Sequence, residues 1–528
     1  MNQFRTRMHP SLRKGKSAAR RNSGLLYALA CFLFLAVLVG GAAWNDTGTP
    51  GRILYQTILF ALCAAPFFLG GHKPAHRLLV IFLASYYLLF GMAGFFSIVF
   101  GLHSGFVLGT SQDLDSGTSF LSKPDWVILI GALCFLAGYF LVSALMGGRP
   151  SRLFARDWKP GAIFKIALLF LAVGFTFSMA YDLVVSPTYI PHHILGVPLG
   201  IASNFRLFVP FAAMMFIYLL ATGYRPKLLW TLLILIMATE FVFGFVANSK
   251  EISYLVPALL VLGLYFLRGA VSKKFIVLIL VSFIPYLLFF NVYRLQVLEI
   301  SGQTRTQALS AFDQNATAVA QHASREKDVV KKSLLSLMTR LNGKVYVDII
   351  VHGTDSGQAP FLEGKTLTLF FDTFIPRMFW PGKPNSSTGE MFNHAFQLSQ
   401  SRYTFAPTTQ LGELYWNFGM TGVVVGMLLI GVVFGYLGSA FSMGRMTTLP
   451  RFMVLLLAAY YLAIRFEVNI ALQYSTFIRL VLLVAIVDFF IGSFRLHRRP
   501  QISATTEGHA PGRPSPGLDP VRPPRARA

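Results

Sequence analysis

The sequence predicts an all-α integral membrane protein with about twelve transmembrane helices. Of the 528 residues, 54% are hydrophobic and 13% are charged, an apolar share above that of an ordinary water-soluble domain. The apolar residues form unbroken stretches of about 17 to 25 residues, the length that a helix needs to cross about 30 Å of hydrocarbon. These two observations together predict a polytopic bundle.

The predicted spans fill two parts of the chain, residues 25–293 and 419–493. The first span is expected to be an uncleaved signal anchor, because it is long enough to cross the bilayer and no clear small-residue cleavage site follows it. One long polar segment, residues 294–418, separates the two parts. In chain order the predicted spans are 25–44, 53–71, 78–101, 126–146, 161–184, 205–222, 228–246, 252–267, 275–293, 419–441, 452–472 and 476–493.

Lysine and arginine predict the orientation of this bundle. Alternate connections are rich in both, whereas the short connections on the opposite side carry little beyond Arg52, Lys123 and Lys250. Because cytoplasmic loops carry the basic excess, both termini are expected in the cytoplasm and the chain in the inner membrane of a bacterium. The basic connections contain Lys73, Arg77, Arg149, Arg152, Arg156, Lys159, Arg225, Lys227, Arg268, Lys273, Lys274, Arg445 and Arg451.

The charge and the cysteines argue against several function classes. The formal net charge is +24, but the basic residues lie between apolar spans and form no stripe on a folded domain, so no nucleic-acid partner is expected. The basic tails, residues 1–24 and 494–528, are predicted to be disordered in the cytoplasm. Cys31, Cys63 and Cys134 lie in apolar stretches, which predicts neither a disulfide nor a redox role.

The long polar segment, residues 294–418, is predicted to fold as a small extracytoplasmic cap, because a structureless loop of that length is unusual. Within it, Arg340, Lys344 and Asp348 recur four residues apart, which places them on one face if a single helix contains them. We consider two interpretations for this face. Either Arg340 and Lys344 bind an anionic substrate, or the face is simply solvated.

Residues 374–384 form a stiff cationic stretch within the same segment. Its prolines hold the backbone extended, and it presents Arg377 and Lys383. As a functional element it would clamp a diphosphate, since arginine offers a planar fork to phosphate oxygens. Alternatively it is an interfacial loop whose cations meet lipid phosphates.

The end of the segment carries further polar candidates, His394, Arg402, Glu413 and Tyr415. Glu413 and His394 are the candidates for a base that accepts a proton from an attacking hydroxyl group. Arg402 and Tyr415 are candidates for binding substrate. Tyr415 and its aromatic neighbours can equally be an interfacial belt, and Glu413 can be a partner of a helix dipole.

Four arginines lie at the predicted outer ends of spans, namely Arg206, Arg294, Arg465 and Arg479. Ionisable residues in hydrocarbon are costly and normally face a cavity or a partner, so four arginines on one side predict an anionic ligand. The alternative is that they reach lipid headgroups or pair with Glu467 and Asp182.

Two motifs carry a resemblance to a known family. Residues 375–384 read IPRMFWPGKP and residues 411–419 read LGELYWNFG, the latter at the start of a predicted span. This pattern resembles the Wzy-type O-antigen and exopolysaccharide repeat-unit polymerases. The layout of many spans with one large periplasmic loop before the last few also fits, although O-antigen ligases share that layout.

The resemblance implies a glycosyltransferase of GT-C-like fold that joins oligosaccharide repeats carried on undecaprenyl diphosphate at the periplasmic face. It implies arginines, Arg377 first, that stabilise the leaving diphosphate, and no metal or other cofactor. A chain-length-regulating co-polymerase and a flippase are the expected protein partners. Two alternatives stay open: an O-antigen ligase that transfers glycan to lipid A core, and a transporter of lipid-linked sugars.

Overall fold

The structure is a computed structural model in which most of the apolar chain is described. The described residues are 23–45, 50–69, 73–101, 121–146, 151, 153–184, 193–246, 250–269, 271–272, 342–375, 380, 382–383, 388–398, 406–441 and 448–496, with single positions between 277 and 338.

Helices make up nearly all of the described chain, as the sequence predicts. The described residues contain one small antiparallel sheet, whose two strands, His193–Ile194 and Val197–Pro198, have two residues each. The helices are α1 (Ser23–Asn45), α2 (Pro50–Leu69), α3 (Arg77–Phe90), α4 (Met92–Phe100), α5 (Lys123–Met146), α6 (Pro160–Val184), α7 (Leu199–Phe205), α8 (Phe208–Ala221), α9 (Pro226–Val246), α10 (Lys250–Arg268), α11 (Gly343–Asp355), α12 (Lys365–Asp372), α13 (Thr388–Ala395), α14 (Gln410–Phe441), α15 (Leu449–Leu457) and α16 (Ile470–Leu496).

Among the described residues, nine helices are long and apolar enough to cross a membrane. The bent pair α3 and α4, which meet at 50° around Gly91, makes a tenth if it counts as one span. The protein is therefore an all-α polytopic membrane protein. The count of twelve stays a prediction, because the predicted span 275–293 lies almost wholly outside the described residues.

Glycines let α5 and α14 pack at very short range. A Cβ atom added to Gly431 would lie 2.1 Å from the carbonyl oxygen of Phe135, and one added to Gly138 would lie 2.1 Å from that of Leu428. Small residues of this kind allow close backbone approach in membranes, where apolar side chains gain little by leaving lipid. The backbones of α5 and α14 are therefore in direct contact.

The helix α14 is two helices joined at a sharp break. The backbone leaves the helical region at Phe418 (φ −139°, ψ 18°) and Gly419 (φ 61°, ψ −147°). Glycine adopts this positive φ without steric cost. We call residues 410–417 α14a and residues 420–441 α14b.

The two parts of α14 run back against each other. A Cβ atom on Gly422 would lie 2.3 Å from the carbonyl oxygen of Leu414, and one on Gly131 would approach both Leu411 and Met427. In a straight helix Leu411 and Met427 would be about 24 Å apart. The helix α14a is therefore a re-entrant arm. Its inner end reaches the level of Gly131, about 12 Å along α5 from Lys123.

The penultimate helix is too short to cross the bundle fully. The helix α15 continues as a π-helix over Ala458–Ile464 and ends at Arg465. Phe466 then packs its ring 5.2 Å from Phe82, which stacks on Phe135 of α5 at 3.8 Å. The turn between α15 and α16 thus lies inside the bundle.

Candidate functional site

The re-entrant arm and the turn after α15 hold each other through backbone hydrogen bonds. The amide of Thr409 donates to the carbonyl oxygen of Glu467 at 3.0 Å, and that of Gln410 donates to Phe466 at 3.0 Å. Non-helical backbone at membrane depth requires such partners, because lipid offers none. The start of α14a, at residues 409–410, and the turn at residues 466–467 therefore form one layer of polar backbone groups.

Arg465 lies at the edge of this layer in a small charged network. Its guanidinium is 3.0 Å from a carboxylate oxygen of Glu251, and the hydroxyl group of Tyr460 donates to the same oxygen at 2.9 Å. The guanidinium carbon lies 5.8 Å from the centre of the Tyr461 ring. Arg479 of α16 interacts electrostatically with Tyr461 as well, and its guanidinium donates to the hydroxyl group of Thr476 at 3.1 Å. Two of the predicted arginines therefore interact with the same tyrosine.

A narrow apolar cleft with a free volume of about 10 Å³ adjoins these arginines. Tyr460 and Tyr461 form one wall of it. The rest of the lining comes from α8, α10, α15 and α16, through side chains that include Leu207, Phe211, Leu255, Leu259, Leu457 and Leu480. The cleft is therefore hydrophobic at its walls and cationic beside the tyrosines.

Arg206 directly precedes Leu207, one of the residues that line this cleft. Its guanidinium stacks on the ring of Tyr181 at 4.1 Å. A cation over an aromatic face is stabilised by the ring quadrupole. Arg206 is thus held by α6 at the start of α8.

Glu413 lies inside the bundle and is fully buried. One carboxylate oxygen accepts a hydrogen bond of 2.6 Å from the amide of Ile470, the first residue of α16. The carboxylate also interacts with the side chain of the fully buried Thr366. A carboxylate at a helix N-terminus is stabilised by the exposed amides and the helix dipole. Glu413 therefore links α14a to α16, and its role as a base stays a prediction.

Lys344 lies in a half-buried cluster of charges on the far side of α14a. Its ammonium nitrogen is 3.1 Å from Asp348 and 3.3 Å from Asp125 of α5. Burial alone lowers the pKa of Lys344, but the two carboxylates outweigh it, so this pKa is raised. Burial also raises the pKa of Asp348. The interpretation as a solvated face is therefore wrong for Lys344 and Asp348, which join α11 to α5, while binding of an anionic substrate by Lys344 stays a prediction.

Tyr415 belongs to a third group of contacts, at the N-terminal end of α5. Its hydroxyl group donates to Asp355 at 3.0 Å, and Lys123 bonds the same carboxylate at 2.6 Å. Tyr415 and its neighbour Trp416 are buried. The interpretation as an interfacial aromatic belt is therefore wrong for these two side chains, because α14a turns them into the protein.

The other predicted site residues are dispersed or lie outside the described residues. His394 is exposed near the end of α13. Lys383 donates a hydrogen bond of 2.9 Å to the carbonyl oxygen of Ile375. The predicted residues outside the described chain are Arg294, Arg340, Arg377 and Arg402. Among the described residues, no group of three or more His, Cys, Asp or Glu side chains could hold a metal ion.

Glu251 and Tyr460, which contact each other beside Arg465, were not predicted from the sequence. Glu251 directly precedes a predicted span, and a carboxylate at that position is a usable signal for an arginine partner. The tyrosines carry no such signal, because aromatic residues are frequent throughout this chain.

Comparison with known proteins adds one match. The model of a family described as "Domain of unknown function (DUF8712)" matches residues 192–441, which include α7 to α14. No curated protein matches the chain. No solved structure matches it either.

Proposed function

We propose that this protein is a glycosyltransferase that joins oligosaccharide repeat units carried on a lipid diphosphate. The observation that supports this function best is the arrangement of Arg465 and Arg479 beside an apolar cleft. A lipid diphosphate has the complementary chemistry, namely two adjacent phosphates on a long hydrocarbon chain. In this proposal the hydrocarbon chain would lie along the apolar side chains at the mouth of the narrow cleft, and the arginines would bind the diphosphate.

In the proposed reaction, a hydroxyl group of the acceptor sugar attacks the anomeric carbon of the donor. The bond between that carbon and the diphosphate oxygen breaks, and the diphosphate leaves with the bonding electron pair. Arginines stabilise the negative charge that develops on the leaving group. The hydroxyl proton passes to a base, for which Glu413 and His394 remain the candidates. Arg377 remains a candidate for contacting the diphosphate from the cap.

In the same proposal, the reaction takes place at the periplasmic side of a bacterial inner membrane. The network of Arg465 and Glu251 lies at the end of α10 opposite to Arg268, and the basic connections are predicted to be cytoplasmic. A co-polymerase that sets chain length and a flippase that supplies the donor are the proposed partners.

The test is the glycan ladder of cells that lack the gene and are complemented with variants. We expect wild type to restore the ladder and Arg465→Ala to lose it by at least about tenfold, since one charge-assisted contact contributes about 1.5–3 kcal/mol. Arg268→Ala, at the exposed opposite end of α10, is the control and should behave as wild type. A normal ladder with Arg465→Ala at wild-type abundance would contradict the assignment.

The ligase alternative predicts a different product in the same experiment. If the protein is a polymerase, cells that lack the gene carry single repeats attached to lipid A core. If it is a ligase, the same cells carry no glycan on lipid A core, and long lipid-linked chains accumulate. The two reactions use the same donor chemistry, so the arginine site is compatible with both.

A further inference from the structure

The short helix α12 packs against the last membrane-spanning helix, α16. Its start is fixed to the re-entrant arm, because the side chain of Asn417 donates to Thr366 at 2.7 Å and accepts from the amide of Gly364 at 3.0 Å. Thr366 is fully buried and also interacts with the carboxylate of Glu413. The arm and α16 together therefore determine where α12 lies in the molecule.

The start of α16 lies inside the bundle, well below the end where α5 begins. Leu411 of the arm meets Gly131, which is about 12 Å along α5 from its first residue, Lys123. Glu413 is two residues, or about 3 Å, nearer to that end, and it bonds the amide of Ile470. Ile470 is therefore about 9 Å deeper than Lys123. Because α16 begins at Ile470 and runs to the opposite end of the bundle, a helix that packs on it lies below the level where α5 begins.

The helix α12 exposes large apolar side chains at this depth. The exposed fractions are 70% for Phe371, 42% for Ile375 and 37% for Phe374. The turn after α12 keeps these side chains together, since the amide of Phe374 donates to the carbonyl oxygen of Phe371 at 3.2 Å. The charged residues of α12, Lys365 and Asp372, are its first and last. Clustered exposed apolar side chains mark a surface that contacts another protein or a membrane.

We propose that α12 is an interfacial helix that inserts Phe371, Phe374 and Ile375 among the acyl chains of the bilayer. Amphipathic helices of this kind lie in the plane of the membrane surface, with their apolar face about 5–10 Å into the boundary between headgroups and acyl chains. The depth at which α16 begins, about 9 Å, falls within this range. Part of the segment that the sequence predicts as an extracytoplasmic cap thus belongs to the membrane. This inference does not depend on the proposed glycosyltransferase activity.

Access of two paramagnetic colliders to a spin label tests the proposal in the full-length protein, reconstituted in phosphatidylcholine nanodiscs. In a protein whose three native cysteines are replaced by alanine, a nitroxide is attached to Phe371→Cys. We expect molecular oxygen, which concentrates in lipid, to reach this label more than a water-soluble nickel complex does. Leu482→Cys, at an exposed position of α16, is the lipid reference, and Ser356→Cys, at an exposed position after α11, is the water reference.

Two results would overturn the proposal. A label on Phe371→Cys that behaves like the one on Ser356→Cys would place α12 in water. Poor access of both colliders, together with dipolar broadening between labels, would mean that a second copy of the chain covers this face.

Quenching by brominated lipids gives a second measurement that leaves the native cysteines in place. Phe371→Trp and Ser356→Trp each add one indole at an exposed position. When the acyl chains of the nanodisc carry bromine, we expect Phe371→Trp to lose more fluorescence than wild type, and Ser356→Trp to lose no more than wild type. Equal losses for the two variants would contradict insertion of α12.

Discussion

At the scale of single residues, several charged groups among the described residues have protein partners. Arg465 pairs with Glu251, Arg206 stacks on Tyr181, and Lys344 bonds two carboxylates. Desolvating a charge is expensive, and these contacts offset part of that cost. An anionic ligand at Arg465 would have to compete with Glu251 or bind beside it. The ion pair of Arg465 with Glu251 therefore affects how tightly Arg465 can bind an anionic ligand.

Lys344 gives the first residue-scale prediction. Lys344→Met leaves Asp125 and Asp348 facing each other without a cation, so we expect a loss of about 1–3 kcal/mol in stability near neutral pH. Burial already raises the pKa of Asp348, and loss of the lysine raises it further. The folded variant then binds protons more readily than the unfolded chain. Its deficit should consequently shrink as the pH falls.

Thermal unfolding of both proteins at neutral and mildly acidic pH measures this effect. Lys365→Met, at an exposed position where α12 begins, is the control and should change little at either pH. A deficit that grows on acidification would show that the two carboxylates are not the groups that lose their partner.

At the scale of helices, two features organise the bundle. Glycines bring α5 and α14b into contact, and the break at Phe418 and Gly419 turns α14a back into the protein. Asn417 closes this break, since its side chain donates to Thr366 at 2.7 Å and accepts from the amide of Gly364 at 3.0 Å. The arm that carries Glu413 is therefore fixed at both of its ends.

The helix packing predicts that alanine substitutions at two glycines change the stability of the protein in opposite directions. Gly431→Ala places a methyl group 2.1 Å from the carbonyl oxygen of Phe135, and we expect a loss of about 1–3 kcal/mol from overpacking. Gly161→Ala meets no atom within 4 Å near the start of α6, and we expect no loss and up to about 1 kcal/mol of gain from helix propensity. Unfolding midpoints of the two purified variants check both signs. Equal midpoints would be inconsistent with the close approach of α5 and α14b.

At the scale of the whole molecule, the two ends of the bundle differ in their polar contacts. The end that carries Lys123, Asp355 and Tyr415 is the end where α5 begins. At the other end, the amide of Ser151 donates to the carbonyl oxygen of Ala440, and Trp158 donates to Asp488. The basic connections predict that this second end faces the cytoplasm.

Labelling of single cysteines in intact cells tests this orientation. In a protein whose three native cysteines are replaced by alanine, we expect Ser356→Cys to react with a membrane-impermeant maleimide. Lys159→Cys should react only after the membrane is permeabilised. Both positions are exposed, so the side of the membrane that the maleimide can reach, and not burial of the side chain, decides the result. The reverse labelling pattern would invert the proposed topology.

The amino-acid sequence by itself determined the fold class and the expected orientation, because spans depend on local apolar length and loops on local charge. It also indicated Arg206, Arg465 and Arg479, since an ionisable residue at a span is conspicuous in any sequence. Residues 411–418 were expected in the cap, whereas residues 410–417 form the re-entrant helix α14a.

Only the tertiary structure decided that α14a is re-entrant and that Glu413 bonds the first residue of α16. These features depend on a backbone break at Gly419 and on contacts between segments more than fifty residues apart, such as Glu413 with Ile470. No local periodicity encodes such pairings. They arise because polar backbone inside a bundle must find partners within the protein, and the turn after α15 supplies them.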